Sequence, residues 1–278
     1  MKDILVHLDG TAADDTRIAH AGFVVGLFEA HLTGLLTNIM QAPVMPVADG
    51  MAYAVYLESI QEKTKERGDR DAERLAHRLD AVTASSELRR LDIFSEAVWQ
   101  VVAMQARASD LLIALRPYGS ERDEGQADVV EAGLFESGRA VYVAPEGAAP
   151  PAALQSVLIG WNDTPAAAHA IAEAMPFLRK AGQVVVVTVD EREAAEQAGE
   201  EPGADIARHL DRHGINVELR HVAGWSNTSD ALLNEVERTG ADLAVLGAYG
   251  HSRLREWVLG GTTRDCLTRC PVPIIMAH

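Results

Sequence analysis

The sequence predicts an α/β protein: two tandem, doubly wound parallel sheets with helices on both faces. Three observations predict it. Short apolar runs, such as LLIAL at residues 111–115 and LAVL at 243–246, read as strands buried on both faces. They alternate with longer segments of helical period, the pattern of parallel strands joined by crossover helices. The pattern also occurs twice. ILVHLDGTAAD from Ile4 matches VLIGWNDTPAA from Val157, and SDLLIAL from Ser109 matches ADLAVLG from Ala241.

In the first half, residues 3–9 (DILVHLD) form a strand ended by Gly10. Thr11 or Asp14 is placed to cap the helix that follows to about residue 29, with Ile18, Ala21, Phe23, Val25 and Phe28 as its apolar positions. Residues 31–39 are the second strand. Residues 40–56, with Pro43, Pro46 and Gly50, read as irregular, either a flap or a packing segment. Residues 59–82 are highly charged, with Leu75 and Leu79 on one face of a helix lying on solvent. A strand at 88–94, a helix at 97–108, a strand at 110–115, a helix at 128–137 and a strand at 140–144 complete the half. PEGAAPP at 145–151 is a linker by composition, so the domains are residues 1–146 and 153–278.

The second half repeats the plan. A strand at 157–161 is followed by Asn162-Asp163-Thr164-Pro165, in which Thr164 caps and Pro165 opens a helix. Strands follow at 184–189, 217–222, 241–246 and 273–277. Helices lie at 204–213, 229–239 and 264–269, and the acidic stretch 190–203 is a loop or a short helix.

Composition narrows the function. The chain has 278 residues, 47% of them hydrophobic, enough for one large or two ordinary cores. A net charge of −16 argues against nucleic acid and anionic membrane as general partners. No leader-like segment precedes the first strand and no run of about 18 apolar residues spans a membrane, so a cytoplasmic protein is expected. The two cysteines, Cys266 and Cys270, share one helical face and read as small buried residues.

The stretch from residue 241 to 263 carries the chemistry. A strand runs into Gly247 and Gly250; then come a loop, Gly260 and Gly261, the hydroxyls of Thr262 and Thr263, and a short helix. Glycine lets the backbone approach an anion, and a helix N-terminus offers free N–H groups and a favourable dipole. Arg253, Arg255 and Arg264 supply local positive charge. No Gly-Lys-Ser/Thr follows, so this is not a Walker loop, and the glycines are too far apart for the compact dinucleotide fingerprint.

The spacing Gly247-x2-Gly250-x9-Gly260 resembles the ATP-binding motif of the universal stress protein family. With the repeat, the resemblance extends to a tandem member of that family. It implies two Rossmann-like domains of the adenine-nucleotide-binding type and a nucleotide ligand: ATP, ADP or AMP, with magnesium an optional companion. The family motif continues with Ser or Thr directly after the third glycine; here Gly261 stands there and the hydroxyls follow at Thr262 and Thr263. The family's aspartate after the first strand, which contacts adenine, matches Asp9 in the first half and Asn162 in the second, with Asp163 beside it. For Asp9 and Asn162, capping the next helix is an equal alternative. The backbone that meets adenine falls at Thr188 or Val189. Trp161 lies beside that pocket, although packing is its simpler role. His251 either touches phosphate or fills the loop.

After Leu115 the first half reads RPYGSERDEGQADVVEAG, in which Gly119 and Gly125 break the spacing and Glu121, Asp123 and Glu124 crowd the phosphate position. One nucleotide per chain, in residues 153–278, is therefore expected. In the family two single domains pair through their last strands; here that implies an intramolecular pseudo-dimer, with a homodimer of the whole chain left open. Asp205, His209 and His213, at i, i+4 and i+8, read as a solvated face rather than a metal site. No nucleophile–base motif is present, so the expected role is a stress-response regulatory protein, with weak ATP hydrolysis at most. The alternatives are a slow ATPase or phosphotransferase using Thr262, Thr263 and His251, and an interaction protein whose nucleotide site is vestigial.

Overall fold

The structure, a computed structural model, describes residues 1–40, 50–83, 85–117, 124–189, 202–248 and 261–278. The first half lays β1 (Asp3–Leu8), β2 (His31–Met40), β3 (Ser86–Phe94), β4 (Leu111–Leu115) and β5 (Ala140–Ala144) side by side in the order β3-β2-β1-β4-β5, all parallel. The second half repeats this order with β6 (Ser156–Gly160), β7 (Gln183–Val189), β8 (Val217–Val222), β9 (Leu243–Gly247) and β10 (Ile274–Ala277). The halves join where β5 meets β10, antiparallel, with Val143 opposite Ile274 and Val141 opposite Met276. The result is one ten-stranded sheet. The two final strands therefore meet edge to edge, as the family resemblance implied, and neither leaves a bare ladder for another chain.

Each half starts with the same tie. The Asp110 carboxylate accepts the backbone N–H groups of Lys2 (2.5 Å) and Asp3 (3.2 Å). Its repeat, Asp242, accepts those of Gln155 (2.7 Å) and Ser156 (3.0 Å). A carboxylate at the foot of β4 or β9 thus fixes the first strand beside it.

Helices cover both faces. On one lie α1 (Asp14–Phe28), α2 (Gly50–Val82), α5 (Pro165–Leu178) and α6 (Ala204–Arg212); their apolar positions meet alternate strand residues such as Ile4, Val6 and Leu8. On the other lie α3 (Val98–Ala106), α4 (Glu124–Glu136), α7 (Thr228–Thr239) and α8 (Gly261–Arg269), packed on Leu5, Leu112, Val141 and Val143. Strand alternation delivers one set of side chains to each layer, and burial on both faces explains the continuous apolar runs. The first layer crosses the junction. Phe177 of α5 packs edge-on against Phe28 of α1 (centroids 4.8 Å apart) and stacks on Tyr142 of β5. Tyr142 Oη lies 2.9 Å from His20 Nδ1, and His20 Nε2 lies 3.1 Å from the Ala148 carbonyl, pinning the linker.

Several elements differ from their expected bounds. Helix α2 begins at Gly50 rather than at residue 59, because MAYAVYL at 51–57 holds no Pro or Gly and extends a helix already nucleated downstream. Residues 41–49 of the expected irregular stretch lie outside the described residues, as does most of the acidic stretch, residues 190–201. Helix α4 starts at Glu124 rather than 128. Neither Thr11 nor Asp14 caps α1. Although charged, α2 is clasped to the sheet. A Cβ on Gly68 would lie 2.4 Å from Arg90 Cζ, so this glycine lets the guanidinium lie on the helix backbone, where it pairs with Asp69 (2.6 Å) and Asp92 (2.8 Å).

Candidate functional site

Open α/β sheets bind ligands beyond the carboxyl ends of their strands, where crossovers diverge. In each half that place is the turn after the first strand. The two turns share one conformation: Gly10 has φ +83° and its repeat, Asp163, has φ +50°. Each has a threonine folded back onto the residue two before it. Thr11 Oγ1 donates to Asp9 Oδ1 (2.6 Å), and Thr164 Oγ1 donates to Asn162 Oδ1 (2.9 Å).

In the first half this turn is filled from within. Asp9 Oδ2 accepts hydrogen bonds from Arg17 Nη2 of α1 (2.8 Å) and Gln126 Nε2 of α4 (2.9 Å). Arg17 also donates from Nη1 to Asp14 Oδ1 (2.5 Å), and Asp14 in turn accepts the N–H groups of Asp9 (3.2 Å) and Gly10 (2.9 Å). Arg17 is 1% exposed and Asp14 is fully buried. Burial pushes the Asp14 carboxyl up to about 6, with Arg17 opposing and Asp9 adding to the rise. Burial also acts to raise Asp9, but the hydrogen bond and charge of Arg17 outweigh it and hold Asp9 well below the usual carboxylate range. His7, next on the same strand face, is pushed down to about 3 by burial and by the Arg17 cation, and its Nε2 lies 2.9 Å from Thr37 Oγ1. The aspartate matching the family's adenine contact is thus fully engaged by the chain's own cation and amide. The acidic residues 121 and 123 lie outside the described residues, and Gly125 sits in α4 with open space around it.

The second half replaces this cluster with small residues. Asp14 and Arg17 correspond, at the repeat offset, to Ala167 and Ala170, and His7 corresponds to Gly160. Asn162 and Asp163 are exposed, and the bond from Thr164 is local. Thr164 takes the expected capping role: its Oγ1 accepts the Ala167 N–H (3.2 Å), and Pro165 opens α5. Trp161 continues the ladder, donating its N–H to the Val187 carbonyl (2.9 Å), and its half-buried ring packs on the first core layer. Gly203 lies against it: a Cβ there would meet Thr188 Cγ2 and Leu219 Cδ1 at 2.9 Å and Trp161 Cδ1 at 3.8 Å. Val189 ends β7, half-buried, and the Thr188 hydroxyl lies 2.9 Å from His221 Nδ1.

Gly247 ends β9 and packs closely against α5. A Cβ there would fall 2.6 Å from the Ala167 nitrogen and 2.8 Å from the Ala166 carbonyl carbon, so the absent side chain lets β9 meet the first turn of α5. Gly261 opens α8, exposed, with no atom of the described residues within 4 Å of where a Cβ would stand; Thr262 is exposed and Thr263 is buried. Gly250, His251 and Gly260, with Arg253 and Arg255, lie outside the described residues. The structure therefore describes the two ends of the glycine stretch: a packing glycine closing the strand and an exposed glycine opening the helix.

No motif marks Arg17 or Gln126. The one sequence signal is the Asp14–Arg17 spacing of three, which pairs opposite charges along a helix. Both cysteines are buried and unpaired, and burial first of all raises both thiols, Cys266 to about 12. His209 and His213 stack edge-on, with centroids 4.8 Å apart. Among the described residues no helix is long and apolar enough to cross a membrane.

Comparison with known proteins agrees with this layout. Residues 153–278 match the profile of the universal stress protein family. A universal stress protein of Synechocystis sp. is 32% identical over 66 residues, which cover 24% of this chain and 22% of the relative; the match thus spans about a fifth of that protein. The crystal structure of a universal stress protein from Archaeoglobus fulgidus superposes with a TM-score of 0.74 at 16% identity, covering 99% of this chain and 97% of that one. A protein of unknown function from Pseudomonas aeruginosa superposes with a TM-score of 0.61 at 13% identity, covering 100% and 92%. At such identities these two superpositions establish the fold, over nearly the whole length of this chain. The family match thus lies in residues 153–278, while over its whole length the chain is similar to these proteins in fold.

Proposed function

We propose that the second half binds one adenine nucleotide per chain and that the protein acts as a nucleotide-responsive regulator in the stress response rather than as a catalyst. The observation that carries this reading is the contrast between the two turns. Asp14 and Arg17 occupy the first, whereas Ala167 and Ala170 leave Asn162 and Asp163 exposed in the second. Asp163 also holds a left-handed conformation that its repeat fills with glycine, a small conformational cost of the kind that gathers at ligand sites.

In this reading Asn162, Asp163, Trp161 and Val189 form the base side; a carboxamide offers both a donor and an acceptor to a purine edge. Gly261, Thr262 and Thr263 form the phosphate side with Gly250, His251 and Gly260. Opening N–H groups and the helix dipole favour an anion there despite the chain's overall negative charge. The ligand is ATP, ADP or AMP, with magnesium as a companion of the triphosphate. Residues 1–146 and 153–278 are two domains arranged as an intramolecular pair, the first without a ligand, in a cytoplasmic protein.

Titration calorimetry with ATP, ADP and AMP tests this, with mass spectrometry of any nucleotide that co-purifies. One site per chain is expected. Two equivalent sites, or no heat with any of the three nucleotides at millimolar concentration, would overturn it.

A further inference from the structure

The second half's α8 is held at its far end by a side chain from the first half. Arg116 directly follows β4. Its Nη1 donates to the Thr268 carbonyl at 3.0 Å, and its Nη2 donates to the Cys270 carbonyl. Thr268 lies in the last turn of α8 and Cys270 directly follows the helix, where carbonyls run out of intrahelical partners and a cation complements the dipole. Among the described residues the contact has no counterpart in the repeat. At the position equivalent to Arg116 the second half carries Ala248, and the Glu136 carbonyl ending α4 is capped from within its own half by Arg107 (3.0 Å).

Helix α8 has nine residues, about 13 Å at 1.5 Å per residue, so one end cannot shift without the other. Polar ties also join it to α7, through Ser229–Asp265 (3.0 Å) and Arg269–Asp230 (2.6 Å). Its apolar side, Cys266 and Leu267, packs in the layer that also holds Val141 and Val143 of β5. The first half therefore supplies both an apolar seat and a charged clamp for the helix whose opening residues are Gly261, Thr262 and Thr263.

We infer that Arg116 is a positioning residue for the nucleotide's phosphates: the ligand-free half braces α8 from behind and keeps its N-terminus aimed at the site. This rests on the nucleotide reading above. It also gives the first half a task that its fold serves and its lost motif does not.

The chain's two cysteines both lie at the end of α8, so thiol labelling reports on this helix alone. The experiment measures ATP and adenosine affinity and labelling rate for the intact wild type, Arg116→Ala and Arg116→Lys. Arg116→Ala is expected to label at least fivefold faster and to bind ATP at least threefold more weakly. Adenosine affinity should be unchanged, because adenosine has no phosphate to sense the helix. Arg116→Lys, with a cation but no fork, should fall between. If the wild type binds no nucleotide, the functional reading fails and this inference with it. If the wild type binds ATP and Arg116→Ala binds it equally well, the inference alone is overturned. Should Arg116→Ala not fold, Arg116→Lys decides by the same comparison of ATP with adenosine.

Discussion

Replacing Arg17 with methionine is the sharpest test of how the first half fills its own turn. The side chain is 1% exposed and bridges Asp9 (2.8 Å) and Asp14 (2.5 Å). Methionine keeps most of the stem volume and removes the charge, leaving Asp14 fully buried and Asp9 without its main partner. Breaking a buried ion cluster by deleting one member costs about 3–5 kcal/mol, and that range is expected here at pH 8. The loss should depend on pH. Asp14 already titrates near 6 in the folded protein with the cation beside it, against 3.8 ordinarily. A carboxyl raised in the folded state favours folding at low pH, and that contribution is lost as pH rises through the folded value. Removing Arg17 raises it further, and each added unit returns about 1.4 kcal/mol between pH 8 and pH 5. Urea denaturation of both proteins at the two pH values measures this. Adding Asp14→Asn should recover part of the pH 8 loss, since the buried charge goes while the amide oxygen can still accept one of the Asp9 and Gly10 N–H groups. A loss below about 1 kcal/mol at pH 8, or an equal loss at both pH values, would refute the argument.

Three further outcomes are expected. Asp163→Gly should leave stability nearly unchanged, because relief of the left-handed conformation, about 1 kcal/mol, offsets the extra freedom of the unfolded chain; nucleotide affinity should fall at least fivefold by calorimetry. Gly261→Ser should hold or raise ATP affinity and leave adenosine affinity alone, since the added Cβ meets nothing and its hydroxyl joins a helix opening. His7→Gln should reduce the loss of stability between pH 7 and pH 5.5. A histidine held near 3 in the folded state but near 6.5 in the unfolded chain loses stability as pH falls below 6.5, about 1 kcal/mol over that interval, and glutamine has no proton to take up.

The sequence by itself determined the strands, most of the helices, the repeat and the glycine stretch. Each of these is written in neighbouring residues: continuous apolar runs for strands buried on both faces, a 3.6-residue period for helices, Thr164-Pro165 at a helix start. It also foresaw that β5 and β10 would meet, through the family resemblance rather than through periodicity. Tertiary structure alone decided what depends on residues far apart. Gln126 reaches Asp9 across 117 positions and Arg116 reaches Cys270 across 154, and no local pattern encodes either contact. The close packing of Gly247 on the backbone of α5 is likewise a tertiary fact, because only the packed structure shows what a Cβ would strike. Asp9 and Asn162 look interchangeable as letters after a strand. What separates them is the pair of side chains behind each turn, a buried arginine and aspartate in one half and two alanines in the other, and burial is a property of the folded molecule.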